Sequence, residues 1–247
     1  MSERTICGHE RPILFNTEMV KAILCSRKTQ TRRLVKNIPL YEPYFEDVDG
    51  MPYACDQDGD WHPAVEFSPI QKGDVLYVRE TWCALPVSPG GHTRIPERYY
   101  YKADPELRPM GWRGNWRPSI HMPKEAARLF LLVKDVRMER LQTISEKDAI
   151  AEGITKLFDY LSDEEFAEKI MPYSFKMKKE DFGWTNYLYK RDEKHLFSDY
   201  ISPIESFASL WDSTIKEPDI PRYGWESNPW VWVIEFEVTG GKRHERH

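Results

Sequence analysis

The residues with the clearest potential for chemistry lie between Ser26 and Arg33, where the chain reads Ser-Arg-Lys-Thr-Gln-Thr-Arg-Arg. Four of these eight side chains are cationic and three carry a hydroxyl, although the protein has a net charge of -5. A hydroxyl becomes a nucleophile when a base takes its proton, and lysine can be that base when burial or neighbouring cations lower its pKa. We therefore predict that Lys28 and Thr31 face one cleft. A solvated basic turn after a helix is the other interpretation.

A helix and a strand are expected on either side of this segment. Asn16 is a good helix N-cap, and the apolar residues that follow it have helical spacing, which predicts a helix with one buried face: Met19, Val20, Ile23 and Leu24. The helix should end near Cys25, and residues 31–35 can continue as a strand. The basic segment at residues 26–33 therefore follows the C-terminus of this helix, where the partial negative charge of the helix dipole favours cations.

A second short helix supplies a candidate carboxylate. Ser145 and Asp148 have the spacing of a capping box, which predicts a helix through Ala151. Glu152 then closes the helix, and Gly153 provides the left-handed residue that stops it. A glutamate is unfavourable at a helix C-terminus. We therefore expect a neighbouring lysine to compensate it.

The remaining pattern predicts an α+β domain. Strands are indicated at residues 11–15, 75–79, 99–102, 129–141 and 230–238, and helices at 162–170 and from Ile204 to Ile215. Residues 37–71 and 155–202 are rich in proline or in charged and aromatic residues, and we interpret them as insertions. The prediction is one domain over residues 1–247, with its core at about 11–36, 72–154 and 203–238.

A further cationic and aromatic segment lies between residues 112 and 121. Rings and guanidinium planes on a loop suit stacking against bases. A loop that plugs the edge of the core with its tryptophan rings explains the same pattern, and the sequence leaves both interpretations open. Arg79 and Glu80 are predicted to form an ion pair at the end of a strand; a position at the cleft rim, near the turn at Gly73-Asp74, is the alternative interpretation. The candidate nucleic-acid-binding residues are Arg27, Arg32, Arg33, Arg79, Trp112, Arg113, Trp116 and Arg117.

Composition narrows the class of protein. Hydrophobic residues make up 40% of the chain, so a packed core is feasible, and no apolar run approaches the length of a membrane span. The N-terminus lacks the apolar stretch of a signal peptide. The four cysteines are far apart, and the histidines show no ligand spacing. We expect a soluble cytoplasmic protein with reduced thiols, no metal, no cofactor, no membrane partner and no obligate protein partner.

With these elements placed, the chain resembles the ASCH domain family, whose members are PUA-like β-barrels. The family motif Gly-x-Lys-x-x-Glu-x-Arg aligns with Ser26, Lys28, Thr31 and Arg33; serine replaces the glycine and threonine the glutamate. The form Lys-Thr-x-Thr is also that of the small bacterial acetylcytidine amidohydrolases of this family. Further similarity covers the turn at Gly73-Asp74, the helix ending at Glu152 and the last strand. The longer chain is similar to ASCH proteins of phages and prophages.

The resemblance implies a PUA-like mixed β-barrel with flanking helices and two insertions. It implies Thr31 as nucleophile, Lys28 as its general base and Glu152 as the group that positions the lysine or a water. The expected activity is recognition of RNA or a modified nucleoside, with amide hydrolysis of an acylated cytidine. A non-catalytic RNA-binding module and a metal-independent ribonuclease are the alternatives.

Overall fold

The structure is a computed structural model. It describes residues 8–36, 53–56, 58–85, 98–104, 115–159, 162–169, 178, 182–187, 199–200 and 202–239. Two of the predicted nucleic-acid-binding residues, Trp112 and Arg113, lie outside the described residues, as do residues 37–52 of the first predicted insertion and much of the second.

Strands and helices alternate irregularly along the described chain. The helices are α1 (Thr17–Leu24), α2 (Glu146–Ala151), α3 (Asp163–Lys169), α4 (Pro203–Thr214) and α5 (Ile220–Tyr223). The strands are β1 (Glu10–Leu14), β2 (Gln30–Leu34), β3 (Tyr53–Cys55), β4 (Trp61–Pro63), β5 (Val75–Arg79), β6 (Trp82–Leu85), β7 (Arg98–Tyr101), β8 (Phe130–Arg140), β9 (Trp184–Thr185), β10 (Asp199–Tyr200) and β11 (Trp230–Val238).

Among the described residues, the main sheet has five strands in the order β1-β5-β8-β11-β2. β1 is parallel to β5 and β5 is antiparallel to β8, so the sheet is mixed. Three two-stranded sheets accompany it: β3 with β4, β6 with β7, and β9 with β10. Within the described ranges β1 and β2 are the outer strands, and no pairing joins them into a closed barrel. The predicted α+β class is confirmed. The described residues do not form the predicted closed barrel.

The chain divides into two compact units. The first comprises residues 1–26, 69–136 and 235–247, and the second comprises residues 27–68 and 137–234. Two of the four boundaries fall inside β8 and β11, the two longest strands, and the other two follow Ser26 and Ser68. The sequence-based prediction of one domain over residues 1–247 stays a prediction.

In the first unit, local signals and burial agree. Asn16 caps α1 by accepting a hydrogen bond from the Met19 amide at 2.9 Å. Leu76 of β5 pairs with Leu131 of β8, and both side chains are completely buried. The apolar face of α1 is also buried, with one correction: Leu24, the last helical residue, is 44% exposed and does not belong to it.

The second unit is built around α2, α4 and the aromatic side chains that cover them. Ser145 caps α2 by accepting from the Asp148 amide, and Ser202 forms a full capping box at α4. α2 lies against α4, whose buried face carries Phe207 and Trp211. The caps fix where α2 ends in the sequence, and an isolated β-bridge between Lys28 and Glu152 places that end beside the start of β2.

Candidate functional site

Residues 27–30 cap the C-terminus of α2, within the second unit. The last carbonyl groups of a helix lack partners inside the helix and need donors from elsewhere. Successive residues of the segment donate to carbonyl groups at this end: Arg27 Nη1 to Gly153 O (3.0 Å), Lys28 Nζ to Glu152 O (2.8 Å) and the Thr29 amide to Ala151 O (2.9 Å). Gln30 Nε2 adds a second donor to Asp148 O (2.9 Å), which also accepts from the Glu152 amide. The predicted catalytic segment is therefore also a structural cap.

The Glu152 carboxylate joins two cations of this segment. Its Oε2 lies 2.8 Å from Lys28 Nζ, and its Oε1 lies 3.1 Å from Arg32 Nη1. The three side chains are 4%, 2% and 0% exposed, so all are removed from water. Charges can be buried at tolerable cost only when they are paired in good geometry. The sequence-based expectation that a lysine compensates Glu152 is confirmed, and Gly153 stops the helix with a φ of 89° as predicted.

The environment of Lys28 makes its ammonium proton easier to remove than that of a lysine in water. Burial lowers the pKa of its ammonium group from the ordinary value of 10.5, because the charged form loses its hydration. The Glu152 carboxylate acts in the opposite direction, and the nearby Arg33 and Arg32 charges add to the lowering. A lysine in this setting releases a proton more readily than one at the surface, which is the property a general base requires.

Thr31 is buried in β2 but is not part of the same hydrogen-bonded group. Side chains alternate across a strand, and Gln30 and Arg32 both reach the end of α2. Thr31, between them, is therefore directed to the other side of β2. Within the described part of the chain, its hydroxyl makes no hydrogen bond with the Lys28 ammonium group. Of the three predicted catalytic residues, the structure brings Lys28 and Glu152 into contact, and the roles of all three stay predictions.

Arg32 has partners that the sequence did not indicate. Its Nη2 lies 3.4 Å from Glu139 and 3.7 Å from Asp148, and its guanidinium lies 5.8 Å from the centre of the Phe207 ring. A side chain with no exposed surface presents no donor to a ligand outside the protein. Of the predicted nucleic-acid contacts in this segment, only the exposed Arg27 and the half-buried Arg33 can reach a ligand, and their contact with nucleic acid stays a prediction.

The other predicted nucleic-acid residues belong to the first unit. Arg79 Nε donates to Met122 O at 2.7 Å, and its Nη2 donates to Ile120 O. The predicted ion pair with Glu80 is wrong: Arg79 Nε and Nη2 donate to these carbonyl groups, and Glu80 pairs with Arg128 instead. Arg117 is exposed and places its guanidinium 5.1 Å from the centre of the buried Trp82 ring, while Trp116 is half-buried.

Glu80 belongs to a buried cluster that sequence analysis missed. Its carboxylate receives two hydrogen bonds from Arg128, from Nε to Oε1 at 2.8 Å and from Nη2 to Oε2 at 3.0 Å. Arg128 also pairs with Asp104 and lies 4.0 Å from the centre of the Tyr101 ring. Burial raises the pKa of Glu80, which Arg128 opposes, and burial raises the pKa of Tyr101 to about 12. No spacing in the sequence relates Glu80 to Arg128, 48 residues away.

Comparisons with known proteins add little to this geometry. No family model matches the chain, and no curated protein matches it. A solved structure that does match is protein EF3133 from Enterococcus faecalis V583, described with the family label DUF984. The two are 11% identical with a TM-score of 0.31, over 97% of this chain and 86% of that one. A TM-score that low carries no argument about fold or function.

The described residues contain neither a metal-binding cluster of side chains nor a membrane-spanning helix. No group of three or more histidine, cysteine, aspartate or glutamate side chains there is arranged to hold a metal ion. None of the helices in the described ranges has the length and apolar character needed to cross a bilayer.

Proposed function

We propose that this protein hydrolyses the amide bond of an acylated cytidine or a related modified nucleoside in the cytoplasm, with Lys28 as the general base. The observation that carries the proposal is the buried contact of 2.8 Å between Lys28 Nζ and Glu152 Oε2, in surroundings that lower the pKa of the lysine. A buried lysine with a lowered pKa is a recognised feature of active sites. The motif at residues 26–33 supports membership of the ASCH family and a PUA-like fold whose mixed sheet is not closed among the described residues.

In the proposed reaction the Thr31 hydroxyl oxygen attacks the carbonyl carbon of the amide, and Lys28 takes the hydroxyl proton. The proton then passes to the leaving nitrogen as the C–N bond breaks, and a water molecule releases the acyl group from the threonine. Because Thr31 is directed to the other side of β2 from Lys28, this route needs a rearrangement of β2 when substrate binds. Catalytic hydrogen bonds often form only in the substrate complex. A water activated by Lys28 is the competing nucleophile.

Removing the base or the nucleophile should abolish turnover of acetylcytidine. Loss of a general base costs roughly 100- to 10,000-fold in rate, so Lys28→Ala should fall by that factor. Thr31→Val should be as inactive if the threonine is the nucleophile, and nearly unaffected if a water is. Thr29→Val is the matched control, since Thr29 is exposed and contributes only its amide to the cap. Product is measured by chromatography, with thermal unfolding of each variant recorded.

The pH profile provides an independent check on the same variants. A lysine base acts when neutral, so kcat/KM should rise with pH through the pKa of Lys28, at a pH below 10.5. No product from the parent protein, or equal product from the parent and Lys28→Ala, would remove the catalytic proposal.

Binding of single-stranded RNA without catalysis is the second candidate, favoured by one observation in the first unit. Arg117 is exposed while its guanidinium lies over the Trp82 ring, which leaves the other guanidinium face available to a base. Arg117→Ala should then weaken binding of a labelled RNA, and binding should decrease steeply with salt. Absence of binding at low salt contradicts this candidate, and cleavage of the RNA in EDTA would instead indicate a metal-independent ribonuclease.

A further inference from the structure

The Glu152 carboxylate has two cationic partners, although a single lysine would be enough to pair its charge. Lys28 takes one oxygen and Arg32 takes the other, from two positions on the same side of the 28–32 segment. Lys28 also donates to the Glu152 backbone oxygen, which ties the ammonium group to the end of α2. The carboxylate therefore has no freedom to turn away from Lys28 unless the contact with Arg32 breaks.

Arg32 is held on its other edge by surface carboxylates. Its Nη2 contacts with Glu139 and Asp148, at 3.4 Å and 3.7 Å, are longer than the 3.1 Å contact with Glu152. Its Nε, on the same edge of the guanidinium plane as Nη2, is buried and has no hydrogen-bond partner among the described residues. The best contact of Arg32 is thus the one with Glu152, and its outer edge is loosely held.

The charges form an alternating series that ends at the surface. From the inside outward it comprises Lys28, Glu152, Arg32, the pair Glu139 and Asp148, and Arg137. Side-chain exposure rises from 4% or less for the inner three to between 25% and 29% for the outer three. An uninterrupted series of this kind keeps every buried charge beside an opposite one, as burial demands.

We propose that Arg32 is the positioning residue of this site: it fixes the Glu152 carboxylate against the Lys28 ammonium group, and it is not a nucleic-acid contact. The effect of this positioning on catalysis rests on the proposed function. The positioning itself rests only on the contacts of Arg32. Among the described residues, Arg32 forms ion pairs with Glu139, Asp148 and Glu152, and its guanidinium lies over the Phe207 ring of α4. Arg32 also lowers the pKa of Lys28 through charge repulsion, in company with Arg33.

The test follows Lys28 directly by NMR, through the 13Cε titration and the hydrogen exchange of its 15N-labelled ammonium group, assigned with Lys28→Arg. In Arg32→Met the titration of Lys28 should shift to higher pH, because a repelling charge is lost and Glu152 is left to Lys28. Arg32→Lys keeps the charge, but a lysine cannot bond Glu152 and the outer carboxylates at once as the guanidinium does. Hydrogen exchange of the Lys28 ammonium protons should therefore become about tenfold faster. The matched control is Arg137→Met, which removes a cation from Glu139 and Asp148 without touching Glu152. Both Lys28 readouts should there equal those of the parent.

Each result decides between the alternatives. Unchanged exchange in Arg32→Lys, or an equal titration shift in Arg137→Met, overturns the positioning role. If Arg32→Met does not fold, the exchange rate in Arg32→Lys decides alone. Failure of the parent to hydrolyse acetylcytidine, together with the expected NMR changes, refutes the proposed function and leaves the positioning role intact.

Discussion

Glu152→Gln should lower the free energy of unfolding by about 3–5 kcal/mol. The substitution keeps the shape of the side chain but removes the negative charge, which leaves Lys28 and Arg32 buried beside a neutral amide. The loss is expected to be this large because neither cation can reach water: their side chains are 2% and 0% exposed. Urea unfolding monitored by tryptophan fluorescence measures it.

A surface pair of the same residue types provides the control for Glu152→Gln. Glu237 lies 3.1 Å from Lys134, and both side chains are more than half exposed. Exposed pairs of this kind contribute roughly 0–1 kcal/mol, so Glu237→Gln should change stability little. If the two glutamine variants lose similar amounts, the buried carboxylate is not what stabilises the start of β2 against α2.

The pH dependence of Glu152→Gln follows from Lys28. The pKa of Lys28 is already lowered in the folded protein, and loss of Glu152, which raises it, should lower it further. Between that folded pKa and the unfolded value of 10.5, the unfolded chain binds more protons than the folded protein. Stability therefore rises with pH in this window. The deficit of Glu152→Gln should therefore shrink as pH rises toward 10.5, and a deficit that stays constant would contradict this assignment.

Arg128→Met is expected to have a comparable effect, in the first unit. Glu80 is 1% exposed and receives both of its ion-pair hydrogen bonds from Arg128. Removal of the arginine leaves a buried carboxylate without its cation, which costs about 3–5 kcal/mol at neutral pH. The loss of the guanidinium from the face of Tyr101 adds to the effect.

This second variant should respond to pH in the opposite direction from Glu152→Gln. Burial raises the pKa of Glu80 above its ordinary value of 4.5, and without Arg128 nothing of comparable strength opposes that rise. The folded protein then binds more protons than the unfolded chain above pH 4.5, so stability decreases as pH rises. Arg128→Met should thus recover part of its loss on going from pH 7 to pH 5.

The control for Arg128→Met is Arg11→Met. Arg11 pairs with Asp74 at 3.0 Å, but its side chain is 40% exposed, and Asp74 keeps hydrogen bonds from the His9 and Gln71 amides. The expected loss is roughly 1 kcal/mol or less. A larger loss in Arg11→Met than in Arg128→Met would show that burial of Glu80 is not the main factor.

The sequence predicted the elements that depend on short-range chemistry. β5 and β11 were predicted with their exact bounds, because alternating or continuous apolar runs between turn residues are local signals. The caps at Asn16 and Ser145 were predicted as well, since a side chain bonds an amide three residues on. The hairpin of β3 and β4 was missed, because three-residue strands carry too little periodicity.

The sequence also indicated that Lys28 and Glu152 would meet, through two separate arguments. One was the unfavourable position of a glutamate at a helix C-terminus, and the other was the resemblance to the ASCH motif. Neither argument contained Arg32 as the second partner of the carboxylate. That contact depends on which side of β2 faces α2, and pairing of the strand with the rest of the protein decides it.

The sequence alone determined that this protein is an α+β chain with a basic segment between a helix and a strand. It also determined that a glutamate at a helix C-terminus needs a lysine partner. Caps, turns and apolar periodicity act over a few residues, so these features need no knowledge of the fold. Only the tertiary structure decided that Glu80 pairs with Arg128 and not with Arg79, and that Arg32 is buried and not displayed. Pairings over 48 and 120 residues are decided by burial and strand register, which no local pattern encodes.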